Sequence, residues 1–240
     1  MKENVVRIRF LIVVVLTPES SRDMLADTLA SLKLQQPLTC SFECLVLVPE
    51  PKNLFSWVSM IEADLNLKYI EYQPTKLGEG INQAISDSQA MPNDWIFVVK
   101  SGDLLLENAF SAIHAFLKSK PSCYVLAVDE SQKEDGAESL VCCHKPEWSP
   151  DWLWDNSYMQ RGVLFQFGFL DSLNKFSIST EITTLEILFQ ELLLRAEVDA
   201  RFEMKLIVSR MPQVVLISIK DESVLGDELP EKLLLNFAKS

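Results

Sequence analysis

The chain has 240 residues, 48% hydrophobic and 23% charged, with 7 Gly and 11 Pro, enough for one substantial α/β core without disulfide or metal staples. A formal charge of −12 excludes nucleic acid as a partner and disfavours an anionic membrane surface, because Lys and Arg are scattered and build no basic field. Five cysteines (Cys40, Cys44, Cys123, Cys142, Cys143) lack zinc-site spacing and read as reduced core thiols, which makes the cytoplasm the natural compartment.

Arg7 to Leu16 reads as the first strand. Its run from Phe10 to Leu16 is too short to span a bilayer and has no cleavage site after it, so no transmembrane segment is expected. A central strand buried on both faces explains it. Thr17-Pro18 punctuates the turn, and Leu25, Thr28, Leu29 and Leu32 recur at helical spacing. Cys44–Val48 is a second strand, closed by Pro49 and Pro51. Leu54, Val58, Ile61 and Leu65 mark a second helix. Lys68–Tyr72 is a third strand, and Leu77, Ile81, Ala84 and Ile85 line a third helix. Trp95–Val99 is a fourth strand, followed by a helix carrying Phe110, Ile113 and Leu117. This alternation predicts a mainly parallel central sheet in a three-layer α/β/α arrangement.

Beyond residue 120 the pattern changes. Cys123–Val128 and Ser139–His144 read as strands flanking an acidic hairpin, Asp129 to Glu138. A loop rich in Trp and Pro runs from Lys145 to Tyr158. A helix begins near Thr183, two strands (Met204–Val208 and Val214–Ile219) close the fold, and the tail from Lys220 is acidic and then amphipathic. No linker or repeat interrupts the chain, so residues 1–240 are expected to form one domain.

The segment from Leu77 to Phe110 places Gly78, Asn82 and Ala84 on a helix, then a strand, then Lys100-Ser101-Gly102-Asp103 ahead of another helix. This layout resembles family 2 glycosyltransferases, in which a G-x-x-x-N helix leads to a strand ending in a metal-binding Asp-x-Asp motif. The Thr17-Pro18 opening and the run from Lys145 to Tyr158 carry the same resemblance, the latter to bacterial polysaccharide and rhamnose-type members. The resemblance covers about residues 7 to 218. It implies a GT-A fold, with a nucleotide-binding half over about 1–120, an acceptor half over about 121–220 and a C-terminal tail over 221–240. It also implies that Thr17, Pro18, Glu50, Gly78, Asn82, Lys100 and Asp103 border a nucleotide-sugar or nucleotide diphosphate. Trp148, Trp152, Trp154 and Arg161 would then lie towards the acceptor.

At the positions where the family places its chemistry, this chain differs. The two motif carboxylates are Lys100 and Gly102, so no metal cofactor is expected. Asp103 survives beside them, and reads equally as a helix N-terminal residue favoured by the dipole. Gln160-Arg161 stands where the family often has His. The catalytic base would be Glu186, with Glu181 as an alternative. Each residue also has a structural reading: Asn82 as a capping or surface polar group, the tryptophans as loop packing, Glu181 and Glu186 as solvated helix residues, and His114 and His144 as structural. The glycines of Gly78-Glu79-Gly80 do not form a dinucleotide fingerprint, since the third glycine is absent.

Two functions compete. One is a degenerate, non-catalytic glycosyltransferase-like protein serving binding or assembly, with a possible protein partner. The other is an active, metal-independent transferase of cell-surface polysaccharide synthesis, in which Lys100 and Arg161 supply the charge of a metal. An unrelated doubly wound domain binding another nucleotide or a protein is the third reading.

Overall fold

The computed structural model describes residues 8–35, 40–60, 65–133, 139–155, 158–159, 161–176, 184–198 and 207–219. In chain order these form β1 (Arg9–Val15), α1 (Arg22–Lys33), β2 (Ser41–Pro49), a 3-10 helix (Lys52–Met60), β3 (Leu67–Tyr72), α2 (Leu77–Asp87), β4 (Trp95–Lys100), β5 (Leu104–Leu105) and α3 (Ala109–Ser119). There follow β6 (Val125–Lys133), β7 (Leu140–Cys143), α4 (Pro150–Asp155), β8 (Val163–Gln166), α5 (Phe167–Ser172), α6 (Leu185–Val198) and β9 (Val208–Ile219). Among the described residues no helix is long and apolar enough to cross a membrane.

The strands join in the order β3-β2-β1-β4-β8-β6-β9-β5, with β7 attached to β6. β1–β2, β2–β3, β1–β4 and β6–β9 pair in parallel; β4–β8, β6–β8, β6–β7 and β5–β9 pair antiparallel. The sheet is therefore mixed, a correction to the mainly parallel one expected. The parallel pairs β1–β2, β2–β3 and β1–β4 belong to the helix-alternating first half; of the antiparallel pairs only β6–β7 joins consecutive strands, whereas β4–β8, β6–β8 and β5–β9 join strands far apart in the chain.

β1 shows why its run is apolar throughout. Leu11, Val13 and Val15 enter a core with Ile81, Ala84 and Ile85 of α2 and Leu188, Phe189 and Leu192 of α6. Phe10, Ile12 and Val14 enter a second core with Leu25, Leu29 and Leu32 of α1 and Phe110, Ile113 and Leu117 of α3. Strand side chains alternate between faces, so a strand covered on both sides must be apolar at every position. Each fully buried Val, Leu or Phe contributes about 1.5–3 kcal/mol, and β1 is where these contributions are densest. α1 is started by Ser21, whose Oγ accepts from the Met24 N–H at 3.2 Å.

Three further expectations change. Asp129 to Lys133 continue strand β6 rather than belonging to the hairpin turn, all five pairing with β9 and Glu130 to Lys133 also with β7. The segment after Pro51 is a 3-10 helix, not a regular α-helix. Val208–Ile219 is one strand carrying Pro212 at a register shift, where two were read across the proline. β5, α4, β8 and α5 have no sequence signal long enough to read. The amphipathic tail, and residues 204–206 of the earlier strand, lie outside the described residues.

Candidate functional site

β4 delivers Lys100 to the C-terminal edge of the parallel strands, beside Val15 of β1. The chain then turns tightly. The Ser101 N–H continues the ladder to the Val15 carbonyl at 2.9 Å, and Asp103 Oδ2 accepts from the Lys100 N–H at 2.8 Å. Gly102 sits at φ +101°, in the left-handed region where a side chain is strained. An aspartate here, at the second position of the expected metal motif, would have to adopt that conformation.

α1 clasps this loop from one side. The Thr28 hydroxyl accepts from the Gly102 N–H (2.8 Å) and the Ser31 hydroxyl from the Leu105 N–H (3.1 Å). The Gln35 amide donates to the Leu106 carbonyl (2.9 Å) and accepts from the Phe110 N–H (3.3 Å). Thr28 and Ser31 lie three residues apart on one edge of α1, and Gln35 follows just past its C-terminal end.

Arg161, just ahead of β8, and Glu186, in the first turn of α6, complete the site. Glu186 Oε1 lies 3.1 Å from Lys100 Nζ and 3.1 Å from Arg161 Nε. Arg161 also donates from its other arm to Asp103 Oδ2 at 2.7 Å. Side-chain exposures are 12% for Lys100, 7% for Arg161, 3% for Glu186 and 1% for Asp103. Two cations and two carboxylates thus neutralise one another away from water. Burial raises the Asp103 carboxyl above the ordinary aspartate range; Arg161, the Lys100 N–H and the Lys100 ammonium pull the other way, while Glu130 adds to the rise. Asp103 Oδ1 and Glu186 Oε2 are buried and find no hydrogen-bond partner among the described residues.

A second charged cluster abuts the first. Lys145 Nζ meets Glu130 Oε1 at 3.3 Å, and the Ser218 hydroxyl donates to Glu130 Oε2 at 2.8 Å. Asp129 receives Arg210 (2.9 Å), the Lys145 N–H (3.0 Å) and His144 Nδ1 (2.8 Å). Burial alone would push Asp129 up, but the bonds from Arg210, His144 and the Lys145 backbone outweigh it and hold the carboxyl below its ordinary value. Sequence reading missed this cluster by assigning Asp129 and Glu130 to an acidic hairpin. The usable signal was an acidic pair directly continuing the apolar run Val125–Val128, since charges inside a strand need partners.

Two readings are corrected here. Glu186 is buried rather than solvated. Asp103 lies six residues ahead of α3, so it is a loop residue and not part of that helix's first turn. Glu181 and Gln160 lie outside the described residues.

The other sequence-selected residues have different surroundings. Thr17 is half-buried, its N–H donating to Ser20 Oγ at 2.9 Å, and Pro18 is exposed. Glu50 is exposed, with its N–H bonded to the Tyr72 carbonyl at 2.9 Å. The Tyr72 hydroxyl donates to the Leu16 carbonyl at 2.8 Å, tying the ends of β3 and β1 together. Gly78 and Asn82, one turn apart on α2, both face Phe176. A Cβ on Gly78 would stand 2.7 Å from the Phe176 carbonyl oxygen, and Asn82 Oδ1 accepts from the Phe176 N–H at 3.1 Å. Their spacing thus serves a close helix-to-loop contact.

Trp148 packs against the α2–α6 core. Trp152 is 48% exposed and tilts against Tyr158, ring centroids 5.6 Å apart. The Tyr158 hydroxyl closes the loop by accepting from the Ser149 N–H and donating to the Ser149 carbonyl. The Trp154 side chain lies outside the described set. His114 is buried on α3, whereas His144 is 66% exposed. Cys40, Cys44 and Cys123 are buried, the thiol of Cys44 being pushed up to about 12 by burial; Cys142 is exposed, which corrects its reading as a core thiol.

Neither a protein-family profile nor a curated protein matches the sequence. Solved structures do. The chain superposes on S. aureus TarS 1-349 in complex with UDP-GlcNAc with a TM-score of 0.60 and 16% identity, covering 89% of this chain and 59% of that one. S. aureus TarS 1-349 alone gives 0.61 and 17%, covering 95% and 70%. S. aureus TarS gives 0.59 and 14%, covering 97% and 43%. The fold is glycosyltransferase-like. The chain spans 59% of the TarS chain solved with UDP-GlcNAc, and less than half of the longer TarS chain.

Proposed function

We propose that this is a non-catalytic glycosyltransferase-like protein, its nucleotide-sugar scaffold kept for binding or assembly rather than transfer. One observation carries the reading: Glu186, the candidate base, is held on one oxygen by both Lys100 and Arg161. Its other oxygen is buried. A base must reach an acceptor hydroxyl at hydrogen-bond distance, and this carboxylate is already occupied by two cationic donors.

The same contacts weigh against the metal-independent reading. A departing diphosphate needs net positive charge, and the charge of Lys100 and Arg161 is balanced by Glu186 and Asp103. Recruiting Arg161 to phosphate would take the ion-pair partner from the buried Asp103, at about 3–5 kcal/mol, and recruiting Lys100 would leave Glu186 and Asp103 sharing Arg161 alone. UDP and UDP-GlcNAc are the ligands of the TarS complexes, so uridine nucleotides are the first to test, followed by GDP and dTDP.

Calorimetry with each nucleotide, with and without Mn²⁺, and an assay of UDP release from UDP-GlcNAc would test the proposal. The expected result is affinity without metal dependence, or no affinity, and no release above the protein-free blank. Turnover that disappears in Glu186→Gln would refute it.

A further inference from the structure

We draw no further inference here: the strongest candidate, the surface patch on α4 where Trp152, 48% exposed, tilts against Tyr158 with ring centroids 5.6 Å apart, carries nothing, because nothing in the structure shows what covers it.

Discussion

Glu186→Gln removes one charge from a buried set of four while nearly preserving volume. In the wild type, Lys100 and Arg161 each lie 3.1 Å from Glu186, and Arg161 also holds Asp103 at 2.7 Å. Without the Glu186 charge, two cations share one carboxylate. Deleting one partner of a buried ion pair costs about 3–5 kcal/mol, because the remaining charge stays desolvated. Lys100 retains some solvent contact, which sets the expectation at the lower end, about 3 kcal/mol. In a chain of this size that corresponds to a fall in melting temperature of roughly 6–12 °C.

Two controls frame the measurement. Glu79→Gln breaks a pair whose members are 50% and 70% exposed and should cost under about 0.5 kcal/mol. Lys100→Met combined with Glu186→Leu removes one charge of each sign and leaves Arg161 with Asp103; it should return to within about 1 kcal/mol of wild type, as apolar replacements of buried pairs do. Guanidinium denaturation followed by circular dichroism would compare the set. A Glu186→Gln protein within 1 kcal/mol of wild type would refute the closed network, and with it the main support for the proposed function.

Gly78→Ala drives a Cβ against the Phe176 carbonyl and should cost about 1–3 kcal/mol by overpacking, visible as a lowered thermal midpoint. Asp129 bears on acid stability. Its folded value lies below the ordinary 3.8, so its contribution is fully present above that pH and is lost as pH falls towards the folded value; Asp129→Asn should flatten the urea-midpoint profile below about pH 4. Millimolar Mn²⁺ should leave the wild-type melting temperature unchanged, whereas Lys100→Asp, which gathers three carboxylates around Arg161, should show a Mn²⁺-dependent rise in differential scanning fluorimetry. Adding Gly102→Asp should instead lower stability by about 1–3 kcal/mol through its positive φ.

The helix-alternating half was readable because each strand there is covered on both faces and every helix carries an apolar stripe. Trp95 to Val99 illustrates this, since the strand found ends only one residue later. β8 was not readable, because four residues between Gly162 and Phe167 carry too short a pattern and owe their pairing to two distant strands. At the candidate site, the sequence exposed the odd residues, Lys100 and Arg161, but not what they meet. Glu186 follows Arg161 by 25 positions, and only the packing of α6 onto the sheet brings it back. Charges that look solvated in a sequence become mutual partners when the fold removes the water between them.

The clasp of Thr28, Ser31 and Gln35 on the loop after β4 has an evolutionary consequence. The backbone from Gly102 to Phe110 exchanges hydrogen bonds with Thr28 and Ser31 of α1 and with Gln35 just beyond it. A loop shaped by its own metal would lose its form when the metal ligands mutate. Here the bonds from Thr28, Ser31 and Gln35 do not pass through the side chain at position 100, so that residue can be exchanged while the loop keeps its support, and only Asp103, which accepts from the Lys100 N–H, is tied to the turn itself. A chain built this way can drift out of one chemistry, and into another role, without passing through an unfolded ancestor.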